Sequence, residues 1–199
     1  MKRRHVNFAL AASALSSPWL AAAQAQAPPA GPKVLRYAFR AAETSFDPAK
    51  VVDIYSRTIT PHIFEALYRY DHLARPVKIK PLTAAGMPEV SDEFRTWTVR
   101  VTPGIFFPAD PAFKGQRREL VAQDYVYSLK RFADPVNKSP VWGGLESDNY
   151  LGFNDLRKAA LATKKPFDYD TEIEGLRAID RYTFRIRLEE ARPRYLENL

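Results

Sequence analysis

Two short stretches restrict the fold more than anything else in the chain. Residues 95–101 (RTWTVRV) and 182–188 (YTFRIRL) each alternate apolar and polar side chains. Successive side chains of a strand point to opposite faces, so such alternation describes a strand with one buried and one solvated face. Trp97, Val99 and Val101 share one side of the first. Tyr182, Phe184, Ile186 and Leu188 share one side of the second. Asp180-Arg181 joins the second stretch to Leu176–Ile179, which reads as a hairpin. Ahead of that hairpin, Ala122, Tyr125, Val126 and Leu129 recur at helical spacing. They predict an amphipathic helix over Val121–Phe132, stopped by Asp134-Pro135. Antiparallel pairs with intervening helices make the class mixed α/β, in the α+β sense.

The remaining segments fill in around these. Lys33–Arg40 (KVLRYAFR) alternates with few charges and reads as a largely buried strand. Ser45-Phe46-Asp47-Pro48 has turn chemistry. Asp53–Tyr70 reads as helical, because Ile59, Ile63 and Leu67 recur every four residues. Pro61 fits there if Thr60 caps a fresh helical start. Glu89–Asp92 reads as a turn, Asp110–Arg118 as a polar loop, and Pro140–Gly144 as a loop bearing Trp142. Phe153, Leu156 and Ala160 mark a short helix. With 46% apolar residues the chain can bury a core, so disorder is not the expectation.

The first segment is an address. Lys2-Arg3-Arg4 is a short basic region, Val6–Ala23 is mostly small and apolar, and two A-x-A sites follow. That is the pattern of a secretory signal peptide. Cutting after Ala25 is expected, because cutting after Ala27 would place Pro28 first. Residues 1–25 are thus a signal peptide and 26–33 a linker containing Pro28, Pro29 and Pro32. Loss of the leader leaves 27 basic against 23 acidic side chains, a balance of +4 in place of +7. The chain has no cysteine, which excludes disulfides, thiol nucleophiles and a lipoprotein anchor.

Catalytic patterns are missing. There is no G-x-S-x-G, no H-E-x-x-H and no phosphate-binding glycine loop. His62 and His72 have no cysteine to form a metal set with. Asp92-Glu93 and Glu189-Glu190 are adjacent pairs beside turns, expected to be solvated. Arg117-Arg118 and Lys164-Lys165 are too brief for a nucleic-acid surface. The expectation is a non-enzyme with no cofactor, no metal and no nucleic-acid partner. A secreted hydrolase-like domain is the alternative, although it would lack any recognisable catalytic motif.

Five motifs in order resemble the extracellular solute-binding proteins of family 5, the oligopeptide- and dipeptide-binding type of ABC importers. Ser45-Phe46-Asp47-Pro48 is similar to the family's "S-L-D-P" turn, and Ile63–Asp71 (IFEALYRYD) to its "I-F-E-G-L-x-x-x-D" helix end. Trp97–Val101 with Pro103–Phe107 resembles the strand and turn that follow. Ala122–Arg131 (AQDYVYSLKR) resembles the "T-A-x-D-x-V-Y-S-x-x-R" helix, and Glu174–Asp180 with Tyr182–Phe184 the "G-V-K-A-I-D-x-x-T-L" hairpin. There are departures: Val121 replaces a helix-capping Thr, and Pro108–Glu119 is longer than the family's "F-x-D-G-x-P" loop.

The resemblance implies a type II-like periplasmic-binding-protein fold, of which the chain supplies only part. Residues 34–64 would start lobe I, 65–170 would form the accessory domain, and 171–199 would return into lobe I. The second lobe would be absent, and the chain would be truncated at Leu199. Tyr182–Leu188 would share a sheet with Val34–Phe39. The implied function is capture of a peptide, or a related small solute, in the periplasm for an inner-membrane ABC permease, acting as a monomer. A truncated fragment that does not bind is the competing outcome. Implied ligand-facing residues are Val52, Asp53 and Ile54, with Val141 and Trp142. The leader carries the first prediction: N-terminal sequencing of the exported protein is expected to begin at Gln26, and an intact Met1 on mature protein would refute the assignment.

Overall fold

The computed structural model describes residues 31–163 and 165–199. The predicted signal peptide, the first five linker residues and Lys164 lie outside them. Phe39–Leu199 forms one compact unit. Among the described residues no helix is long and apolar enough to cross a membrane.

The centre of that unit is a four-stranded antiparallel sheet. Its strands are β3 (Glu89–Ser91), β4 (Thr96–Arg100), β5 (Leu176–Ala178) and β6 (Thr183–Arg187), in the order β3-β4-β6-β5. In the central pair Trp97 faces Ile186 and Val99 faces Phe184. The alternation read from the sequence decides the faces. Trp97, Val99, Val101, Phe184, Ile186 and Leu188 are all buried, while Arg100 is exposed. A two-stranded antiparallel sheet, β1 (Tyr68–Asp71) with β2 (Lys78–Pro81), precedes it.

Among the described residues four α-helices accompany the sheets: α1 (Ile54–Ile59), α2 (Ala122–Ala133), α3 (Trp142–Asp148) and α4 (Phe153–Thr163). Helix α2 sits against β5 and β6, with the Tyr125 ring stacked on Phe184 at 5.7 Å. Its start lacks a side-chain cap at Val121, and the Asp124 carboxylate instead accepts from the Val121 N–H at 2.8 Å. It ends at Asp134-Pro135, as expected. Lys130 is almost fully buried on the inner side of α2. Its ammonium donates to the carbonyls of Tyr169 (2.8 Å) and Thr171 (2.7 Å), tying that connection to the helix. Tyr150 and Tyr195 meet through their hydroxyls beneath Trp97, and burial pushes both phenols above their ordinary range.

Several expectations are corrected. Residues 33–39 form no strand, and Val34 and Leu35 are 72% and 91% exposed. Nor do they share a sheet with residues 182–188. A segment joins a sheet only by making ladder bonds to a neighbouring strand, and the sheet that holds β6 is built from β3, β4 and β5 alone among the described residues. The helix expected over 53–70 covers only Ile54–Ile59, followed by a 3-10 turn at Thr60–His62. Pro61 lacks the N–H that would continue the ladder, and Thr60 is not the cap but the first residue of the turn, its hydroxyl donating back to Arg57 O at 3.5 Å. Ile63 is left half-exposed, and pairing with β2 draws Tyr68–Asp71 into a strand. Glu89–Ser91 is a strand and not a turn. The reversal falls one step later, where Asp92, Glu93 and Phe94 all adopt positive φ. Finally, Trp142 opens helix α3 and does not lie in a loop.

Gly175 marks a crossing of three backbones. Its N–H donates to Leu151 O (2.8 Å), Leu151 N–H to Arg187 O (3.0 Å), and Arg187 N–H to Gly175 O (2.9 Å). A Cβ on Gly175 would stand 2.6 Å from Leu151 O and 2.8 Å from the Tyr150 carbonyl carbon. Backbone cannot yield as a flexible side chain can. Gly175→Ala is therefore expected to lower unfolding stability by about 2 kcal/mol or more, measured by urea denaturation; an unchanged midpoint would refute the crossing.

Candidate functional site

The first group of expected ligand-facing residues sits where a turn delivers the chain into α1. Asp53 is the N-cap of that helix, and its carboxylate accepts from the Ser56 N–H (2.8 Å) and the Ser56 hydroxyl (2.6 Å). The Thr44 hydroxyl donates to the same carboxylate. Ser56 is fully buried and its hydroxyl oxygen accepts from the backbone N–H of Thr44 at 3.0 Å. Hydrogen bonds from Ser56 first, then Thr44, hold the Asp53 carboxyl well below the usual carboxylate range. The side chain of Asp53 is thus engaged in holding its own segment. Its neighbours Val52 and Ile54 point outward, 59% and 70% exposed.

The turn before them is anchored from a distance. Asp47 accepts two hydrogen bonds from the Arg131 guanidinium, at 2.9 and 2.7 Å, across 84 positions of sequence. It also accepts from the Ala49 N–H at 3.1 Å. Arg131 lies near the end of α2, so the pair fixes the 47–54 segment to that helix. The parallel two-bond geometry is the strong form of a carboxylate–guanidinium contact.

The second group stands at the start of α3. Val141 is partly exposed, whereas Trp142 is buried to 8%. The Trp142 ring meets Phe153 edge-on at 5.5 Å, and the Arg157 guanidinium lies 4.8 Å above it. The two groups therefore belong to different elements with separate contacts: Asp53 with Thr44 and Ser56, Trp142 with Phe153 and Arg157.

A feature not visible in the sequence is an apolar cleft of about 420 Å³. Ile63, Phe64, Phe106, Phe107, Leu120 and Tyr125 line it, with Glu65, Thr83, Asp124 and Ser128 as polar groups. Its residues come from segments far apart in sequence, so no local pattern marks it. The long Pro108–Glu119 segment borders it, with Arg117 over the Phe106 ring at 3.7 Å and Phe113 against Phe107. Among the described residues no group of three or more His, Asp or Glu side chains is placed to hold a metal. His62 and His72 stand on separate elements, both exposed.

Comparison with known proteins adds a family and a scale. The sequence profile described as "Bacterial extracellular solute-binding proteins, family 5 Middle" matches residues 78–199. The periplasmic oligopeptide-binding protein OppA of Salmonella typhimurium is 27% identical over 155 residues, which is 78% of this chain and 25% of that protein. Its Escherichia coli counterpart is 29% identical over 157 residues, with the same coverage of 78% and 25%. Among solved structures, Haemophilus influenzae OppA in complex with the peptide RPPGFSPFR superposes with a TM-score of 0.59 at 25% identity, covering 76% of this chain and 26% of that one. The pheromone receptor PrgZ gives 0.56 at 28% identity, covering 78% and 27%. The chain thus spans about a quarter of the length of the relatives it matches.

The Asp47–Arg131 pair yields a pH prediction. The Arg131 bond, opposed by desolvation and helped by the Ala49 N–H, holds the Asp47 carboxyl below its ordinary 3.8. A carboxyl depressed in the folded state stabilises fully above the unfolded value and loses that contribution as pH falls through the folded one. Asp47→Asn is expected to lower stability at neutral pH by about 1.5–3 kcal/mol and to flatten the decline below pH 4. Urea titrations at pH 7 and pH 3 check both; an equal loss at the two pH values would contradict the assignment.

Proposed function

This chain belongs to the bacterial extracellular solute-binding proteins of family 5, and on that premise we propose that it forms part of a periplasmic peptide-capturing protein that serves an ABC importer. The observation that carries this reading is the pairing of exposed apolar side chains with an ordered backbone. Val52 and Ile54 stand out from a segment pinned by the Asp53 cap and the Asp47–Arg131 bond. Exposed apolar groups on a rigid segment offer contact area to a ligand without an ordering penalty on binding. Val141 supplies a third, partly exposed apolar group beside the anchored Trp142. Asp53, with its carboxylate consumed by the cap, contributes through its backbone.

In this reading an extended peptide lies across Val52–Ile54 and Val141–Trp142, held mainly by main-chain hydrogen bonds in the manner of an added strand. Varied side chains are accepted because the bonds involve the backbone that all peptides share. Supporting it are the OppA relatives, one of them solved with a bound peptide. The domain division at residues 64 and 170 is part of the same proposal, with one addition: β6 from the returning segment pairs with β4 from the accessory segment, so the sheet bridges the boundary at 170. Residues 1–25 would direct export and be removed.

In this reading the ligand lies between two lobes, and the 199-residue chain, about a quarter of its relatives' length, offers one wall, so its own affinity is expected to be weak. Dissociation constants near 1 mM correspond to only about 4 kcal/mol of binding free energy. The test is NMR titration of this chain with RPPGFSPFR. Millimolar binding that shifts the amides of Val52, Asp53, Ile54, Val141 and Trp142 first is the expected result. Shifts confined to other segments would overturn the site, and micromolar binding by the chain alone would overturn the one-wall reading. Cleavage of the peptide during the titration would favour the hydrolase alternative.

A further inference from the structure

Helices end with carbonyls that have no partner within the helix, and what satisfies them fixes what the helix end can hold. The last turn of α2 shows an unusual concentration of such partners. The Asn137 side chain donates to Arg131 O at 2.8 Å, and the Arg157 guanidinium donates to Ala133 O at 2.8 Å. Asp134, at the C-cap, accepts from the Val136 N–H at 2.9 Å and the Tyr169 hydroxyl at 2.7 Å. Cations near a helix C-terminus are also favoured by the helix dipole.

Two arginines, one on this turn and one bonded to it, run onward to the segments assigned above to the ligand. Arg131, part-buried on that turn, grips Asp47 with both Nη1 and Nη2. Asp47 begins the turn that leads to Val52 and Ile54. Arg157, reaching from α4, binds Ala133 O with Nη1 while its guanidinium carbon lies 4.8 Å from the centre of the Trp142 ring. A planar guanidinium can do both at once, because its edge donates hydrogen bonds while its face packs on an aromatic ring.

We propose that Arg131 and Arg157 are positioning residues that fix the 44–54 segment and the start of α3 to the same helical turn, setting the spacing between the two candidate ligand-contacting segments. Neither needs to touch the ligand. Their effect is preorganisation, so that the two segments do not have to be ordered separately when a ligand arrives. The ligand side of this inference rests on the reading in the preceding subsection; the mechanical side does not.

Amide hydrogen exchange on the unliganded 199-residue chain tests the mechanical side. Arg131→Gln is expected to speed exchange over residues 44–56 at least tenfold while α2 and β4–β6 keep their protection. Arg157→Gln is expected to do the same over 139–145 and leave 44–56 unchanged. Exchanging the charges, Asp47→Arg with Arg131→Asp, should restore part of the protection at 44–56. A uniform rise across the whole molecule, or no local change, would overturn the proposal by reducing both arginines to general stabilisers or spectators. Should either Gln variant fail to fold, Arg131→Lys and Arg157→Lys keep the charge but lose the fork; they should give the same local increases in smaller measure, and their absence is equally decisive. Peptide-induced shifts elsewhere in the chain would sink the ligand reading and leave this coupling standing.

Discussion

The pairing of β4 with β6 is the contact on which the rest of the unit is arranged. It joins positions more than eighty residues apart and makes one continuous apolar face from Trp97, Val99, Phe184 and Ile186. Helix α2 covers that face through Tyr125, and the Tyr150–Tyr195 pair closes it near Trp97. Apolar burial of this kind is the largest favourable term available to a chain without disulfides. Everything assigned to ligand contact is attached to this layer indirectly, through α2 or through the helices packed beside it.

Much of that layer was legible in the sequence because its signals are local and periodic. Alternation over 95–101 and 182–188 gave both strands and the correct buried faces, and 3.6-residue spacing over 122–129 gave α2 with its stop at Asp134-Pro135. The errors share a cause of the opposite kind. Val34–Phe39 has the alternation of a strand, but a strand also needs a partner strand, and pairing is not written in its own residues. Ile59, Ile63 and Leu67 keep a four-residue spacing that reads as a helix as far as Tyr70, yet Pro61 cut the helix short and β2 captured Tyr68–Asp71. Trp142 stood in a run of Pro and Gly that reads as a loop, while packing on Phe153 turns it into the first residue of a helix.

The candidate site was legible in a narrower sense. Its residues came from resemblance to a family and not from any chemistry visible in the text of the chain. What the structure adds is the long-range wiring: the Asp47–Arg131 bond, the Arg157 bridge, and the Thr44 N–H held by the Ser56 hydroxyl. Bonds between residues so far apart leave no periodic trace. Lys130 illustrates the point from the interior. A lysine on the apolar side of a helix reads as a misfit until two carbonyls from residues 169 and 171 are found waiting for its ammonium. Burial disfavours its charge and pushes its pKa down, and the carboxylates of Asp168, Asp170 and Glu172 act against that.

The crossing at Gly175 has a consequence for how the sheet keeps its phase. Side chains along a strand alternate, so a slip of one residue turns a strand's greasy side toward water. Short antiparallel strands resist such slippage only weakly, since neighbouring registers offer nearly the same main-chain bonds. Here Gly175, Leu151 and Arg187 close a ring of three backbone contacts from three separate stretches. Sliding β6 by one step would break the ring on two sides at once. A residue with no side chain thereby decides which side chains of its neighbour face inward.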